Sequence, residues 1–175
     1  MKIIQTNSSQ YRNGIIDLYV EAFSTGQSEQ YIDLDELSEY IDLILNEGYT
    51  ILAIEDKELT GAVLICPLRY DKYLPAQISE SFELKKCLYI AEMMVSEKVR
   101  GRGIGKQLLK VFFDSADKSR YSDAFIRVWD ANIPAVSLYK KTGFKAIANI
   151  LQTKIKADKS GTFLMNKIYL HHILD

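Results

Sequence analysis

The residues best placed to do chemistry lie in the stretch Val99-Arg100-Gly101-Arg102-Gly103-Ile104-Gly105-Lys106. An apolar run, Leu88 to Val95, stops just before it, and a helical pattern, Ile104, Leu108, Val111 and Phe112, begins inside it. A strand, a glycine loop and a helix start present free backbone N–H groups to an anion, with the positive end of the helix behind them. Glycine lets the main chain approach a ligand without a side chain between. Arg100, Arg102 and Lys106 bring positive charge to the same point. A diphosphate is the ligand this chemistry suits.

Two well-known phosphate loops do not fit. A Walker loop requires a glycine four residues before Gly-Lys and a Ser or Thr after it, where this chain has Arg100 and Gln107. A dinucleotide fingerprint requires Gly-x-Gly-x-x-Gly, whereas the spacing here is Gly101-x-Gly103-x-Gly105, and the ribose-binding acid is missing. A plain strand–helix turn with solvated basic residues is the structural alternative.

A second motif, Asn132 to Phe144, follows the apolar run Ala124–Trp129. Its Pro134 sits in the first turn of a helix capped by Asn132, and Gly143 ends that helix. With Arg100-x-x-Gly103-x-Gly105 upstream, the chain resembles the GNAT superfamily of acyl-CoA N-acyltransferases over nearly its whole length. The resemblance implies acetyl-CoA as acyl donor and an N-acetyltransferase acting by direct attack of an amine, through a tetrahedral intermediate and without a covalent enzyme intermediate. It places the coenzyme A pyrophosphate on the backbone of Arg100, Gly101, Arg102, Gly103, Ile104 and Gly105, with Arg100, Arg102 and Lys106 offsetting its charge. It pairs the pantetheine arm with Met93, Met94 and Val95, the Met94 amide polarising the thioester carbonyl. Asn132 and Ala135 contact the cofactor arm, with Asn132 also an ordinary helix cap. Tyr139 protonates the departing thiolate; its alternative is a packed aromatic beside Leu138 and Phe144.

Glu92 is the candidate base. It is the one charge within Leu88–Val95, read on the same strand face as Ile90 and Met94, where burial would raise its pKa. A strand-end Glu paired with a lysine or with water is the bland reading. The rival function is a non-catalytic acyl-CoA-binding module.

The elements that must position these residues follow from periodicity. Lys2–Thr6 reads as a strand. Ser8 or Ser9 caps a helix burying Ile15, Ile16, Leu18, Tyr19, Ala22 and Phe23. Residues 24–28 form a loop, a second helix runs from about Leu34 to Asn46, and Gly48 stops it. Tyr49–Glu55 and Leu59–Leu68 form a hairpin. Residues 69–86 are an insert; Tyr70-Asp71-Lys72-Tyr73 reads as a solvated turn, the alternatives being a flap over the acceptor or a subunit contact. Leu88–Val95 is a buried strand, Ile104–Lys118 a helix, and Ala124–Trp129 a strand. Phe144–Thr153 and Thr162–Tyr169 close the chain as a hairpin. The fold class is α/β (α+β): one domain, 1–175, with a mixed, mostly antiparallel sheet of six to seven strands covered by helices, its central pair splayed.

Composition bounds the class. At 47% apolar and 26% charged, the chain has the balance of a water-soluble globule. No apolar run approaches the roughly 20 residues of a membrane span, and the N-terminus does not read as a signal peptide. Cys66 and Cys87 read as buried thiols of a cytosolic protein, and no standard metal spacing appears. His171 and His172 read as a surface or disordered tail. Exposed final strands leave room for a homodimer. The basic residues are scattered, without an aromatic platform for nucleic acid.

Charge is segregated. Residues 1–60 hold twelve acidic and three basic residues, and 61–175 hold eleven and nineteen. The expectation is that Glu21, Glu29, Asp33, Asp35, Glu36 and Glu39 draw a cationic amine, a small molecule or a peptide, to the acceptor site.

Overall fold

In a computed structural model, which describes residues 1–26 and 28–175, seven strands form one sheet in the order β1-β2-β3-β4-β5-β7-β6. They are β1 (Lys2–Thr6), β2 (Tyr49–Glu55), β3 (Glu58–Pro67), β4 (Cys87–Val95), β5 (Asp123–Trp129), β6 (Lys145–Ile155) and β7 (Thr162–Ile173). The β4–β5 pair is parallel and the other neighbouring pairs are antiparallel. This is the mixed, mostly antiparallel sheet expected from the sequence.

Helices cover both faces, which is why the central strands read as unbroken apolar runs. Helix α1 (Arg12–Ser24) and α2 (Leu34–Glu47) lie on one face, over Leu52, Ala62, Leu64, Tyr89, Phe125 and Tyr169. On the other lie α4 (Ile104–Ser115) and α5 (Ile133–Lys141), over Ile51, Val63, Ile65, Leu88, Ile90 and Ile126. The i, i+4 spacing of Ile104, Leu108 and Phe112 makes one stripe of α4, and all three are buried. Each such side chain stabilises the fold by roughly 1.5–3 kcal/mol. Helix α4 stops at Ser115, short of the expected Lys118, because Ala116 turns extended.

Gly48 ends α2 for a reason beyond backbone freedom. A Cβ there would lie 1.9 Å from the Ile65 carbonyl oxygen of the neighbouring strand. The helix thus runs straight into β2 in contact with β3.

The insert is ordered around a short helix, α3 (Ala76–Ser81). The expectation of a solvated turn at 70–73 fails at Asp71, which is 6% exposed. Its carboxylate accepts from Arg127 at 2.9 Å and from the Tyr169 hydroxyl at 2.7 Å. A buried carboxylate is tolerable only with such partners, and these fasten the insert to β5 and β7.

The histidines do not form a loose tail. Strand β7 runs on to Ile173, and His171 Nε2 lies 2.6 Å from Asp123 Oδ1. Phe82 of the insert lies against His171, with ring centroids 4.9 Å apart. His172 lies tilted against Phe113, and its Nδ1 is buried without a partner among the described residues. Cys66 and Cys87 are both buried free thiols. Gln27, in the expected 24–28 loop, lies outside the described residues.

Candidate active site

The site begins with a bulge. Leu64 of β3 faces Glu92 and Ile65 faces Ile90, so Ala91 is an extra residue in β4. A bulge bends a strand and flips its alternation. Beyond it β4 leaves β5: their pairing covers Cys87–Ile90 against Asp123–Ile126 and goes no further. The splayed ends open a cleft of about 640 Å³. Met93, Val95, Trp129, Ala135, Leu138 and Tyr139 are among the residues lining it.

The same bulge corrects the reading of Glu92. Ile90 packs on the α4–α5 face and Met94 on the α1–α2 face. Glu92 shares a face with Met94 and not with Ile90. There it meets α2, whose Tyr40 hydroxyl donates to Glu92 Oε1 at 3.1 Å.

Backbone phase corrects a second expectation. The Ser96 N–H donates to the Thr60 carbonyl of β3 at 2.9 Å. Antiparallel alternation then turns the Met94 N–H toward β3 as well. The amides of Met93 and Val95 are the ones on the side of the gap. The Val95 carbonyl on that side accepts from Arg100 Nε at 3.2 Å.

At the far end of the cleft, Gly101 and Gly103 have φ of 80° and 77°, in the left-handed region. A Cβ on either would meet nothing within 4 Å, so the loop faces open space. The Gln107 N–H makes the first helical bond, to Gly103. The amides of Ile104, Gly105 and Lys106 therefore have no helical acceptor and remain for a ligand. Gly105 packs closely: a Cβ there would come within 2.7 Å of the terminal methyl of Met93, which would have to shift.

The loop cations divide. Arg100 lines the cleft, in contact with Glu97 at 3.0 Å. Arg102 turns to β2 and holds both oxygens of Glu55 at 2.8 Å. The cleft lining includes Gly101 and Gly105 but not Arg102, Gly103 or Lys106, and the Ile104 side chain is buried in the core.

Asn132 caps α5, its Oδ1 accepting from the Ala135 N–H at 3.3 Å, and also lines the cleft. Tyr139 is 4% exposed, packed with Phe144 and open to the cleft. Burial, reinforced by the charge of Glu92, raises its pKa and keeps the phenol protonated. Burial also pushes the Glu92 carboxyl above the usual range, while Lys167, Arg127 and the Tyr40 hydrogen bond pull it down.

Sequence reasoning missed Lys167, Arg127 and Lys154. Lys167 lies between Met165 and Tyr169 at inward positions of β7, both fully buried. A lysine on the buried phase of an alternating strand was the signal available. Burial lowers its pKa to about 8.

The acidic side chains expected at the acceptor site are elsewhere. None of Glu21, Glu29, Asp33, Asp35, Glu36 and Glu39 lines the cleft. Asp33 caps α2 through the N–H groups of Asp35 and Glu36. Glu21 accepts from Ser96 Oγ and the Glu97 N–H.

The Acetyltransferase (GNAT) family pattern matches residues 12–144, and the chain belongs to that family. An uncharacterized N-acetyltransferase, YobR of Bacillus subtilis, is 36% identical over 59 residues, 34% of this chain and 24% of the relative. This chain thus spans about a quarter of that relative's length. Over the whole fold, the ribosomal-protein-alanine N-acetyltransferase of Brucella melitensis superposes with a TM-score of 0.75 at 16% identity, covering 99% of this chain and 100% of that one. The yncA protein of Salmonella typhimurium, solved with its cofactor acetyl-CoA, gives 0.73 at 16%, covering 100% and 95%.

Proposed function

We propose that this protein is an acetyl-CoA-dependent N-acetyltransferase that acylates a primary amine by direct attack. The observation that carries this reading is one continuous cleft. It has bare amides at one end and Glu92 and Tyr139 at the point where β4 and β5 part. The residues fit the cofactor. The loop offers N–H groups and room to a pyrophosphate, and Met93 and Val95 offer a strand edge to an extended arm. Acetyl-CoA supplies the activated acyl group when bound.

The chain's own residues divide the remaining work. Glu92 takes a proton from the acceptor ammonium, because only the free amine has a lone pair for attack. The amides of Met93 and Val95 support the negative charge developing on the acyl oxygen. As the carbon–sulfur bond breaks, Tyr139 gives its proton to the departing sulfur, whose pKa as a thiol is near ~8.5. The second proton shed by the attacking nitrogen restores the phenol, so a neutral amide and a thiol leave.

The test pairs calorimetry with acetyl-CoA and a screen of amines following thiol release. Binding with amine-dependent release is expected. Binding without release from any amine would instead support a module that only holds acyl-CoA.

A further inference from the structure

We infer that the acceptor amine carries an anionic group, a carboxylate or a phosphate, on the same small molecule. This rests on the acetyltransferase reading and names the class of acceptor for it. The α1–α2 face of the sheet beside Glu92 carries three cations. Arg127 on β5 is there by its contact with Tyr169. Lys167 pairs with Trp129 of β5, and Lys154 pairs with Phe163 of β7, which puts both lysines on that face by register.

Two carboxylates stand against these three cations. Asp71 is taken by Arg127 at 2.9 Å. Among the described residues, no carboxylate lies within 4.0 Å of either Lys154 or Lys167. Glu92 is close enough to act on both lysines, but its Oε1 is occupied by Tyr40 and its role is to take a proton. Gln152, which pairs with Met165 on the same face, has a buried Nε2 without an acceptor among the described residues. Donors exceed acceptors here.

A half-buried ammonium without a partner is costly, and burial lowers the pKa of both lysines. An anion entering the cleft would remove that cost. Of the cations lining the cleft, Arg100 is paired with Glu97 and Arg127 with Asp71, which leaves Lys167 for such an anion. An acceptor with its amine at Glu92 and its anion at Lys167 satisfies both ends. A polyamine would place a second positive charge against Lys167 and Arg127.

The experiment uses the full chain with acetyl-CoA and follows thiol release. The acceptors are the twenty amino acids, their amides, O-phosphoethanolamine, putrescine and spermidine. The expected result is a kcat/KM at least tenfold higher for an anion-bearing amine than for its amide or for either polyamine. Amino acid against O-phosphoethanolamine tells which anion is read. Compared on the upper plateau of the pH profile, since the substitution also removes a charge that lowers the Glu92 pKa, Lys167→Met should raise KM for the preferred acceptor at least tenfold and leave the amide's KM where it was. Lys154→Met should act in the same direction, and acetyl-CoA calorimetry on both variants reports that they fold. Equal or better turnover of amides or polyamines overturns the inference. So does a protein that binds acetyl-CoA yet acetylates no anion-bearing amine. Absence of acetyl-CoA binding overturns the underlying reading instead.

Discussion

The two halves of the cleft are built from different materials. The half we propose for the cofactor is main chain: bare amides of a glycine loop, a helix start and a strand edge. The half we propose for the acceptor is side chains: Glu92, Arg127 and Lys167 line it, and Tyr40 and Lys154 act on Glu92, together drawn from four strands and a helix. Backbone recognition tolerates many side chains around it, whereas side-chain recognition depends on which face each residue occupies. The cofactor half therefore suits a constant ligand, and the acceptor half is where a particular amine is chosen.

Substitutions that separate the halves test this contrast, and the largest effect is expected at the loop. Gly103→Glu puts a side chain on a residue at φ 77° and a negative charge beside the phosphate site. Acetyl-CoA binding should be lost in calorimetry, while the fold survives because the new Cβ meets open space. Retained affinity would break the assignment of the loop.

Glu92→Gln acts on the other half. Turnover should fall by about 10²–10⁴-fold with acetyl-CoA affinity unchanged. The wild-type pH profile sharpens this. The raised Glu92 pKa means the carboxyl stays protonated to higher pH than an ordinary glutamate. Activity should rise with pH through a limb above 4.5, the ordinary value, and that limb should vanish in the variant. A limb that persists assigns it to another group.

Tyr139→Phe should lower kcat by about 10²-fold and leave acetyl-CoA binding nearly unchanged. Undiminished turnover would make the residue part of the packing with Phe144. The smallest effects separate the loop arginines. Arg100→Ala should weaken acetyl-CoA measurably, and Arg102→Ala should weaken it less, because Arg102 is engaged by Glu55. The reverse order would mean that Arg102 leaves Glu55 for the ligand.

The legibility of the two halves differs for the same reason as their construction. The loop, Asn132 and Tyr139 fall in short stretches whose spacing is itself the signal, and helix α5 keeps its cap, its Pro134 and its Gly143 at the expected places. The acidic helices show how counting charge misleads. Asp33 and Glu21 bind backbone amides, so their abundance said nothing of the cleft. The insert was unreadable because its anchor is a buried Asp71 whose partners lie 56 and 98 residues away.

The sequence by itself determined the order of elements outside the insert, a sheet covered by helices and the glycine loop, because period, capping and glycine spacing act over a few residues. The tertiary structure alone decided that Ala91 bulges, so that Glu92 faces α2 and the amides of Met93 and Val95 face the gap. It also decided that Arg127, Lys154 and Lys167 meet beside that carboxylate. Faces and distant neighbours are set by register between strands, which no single stretch of sequence contains.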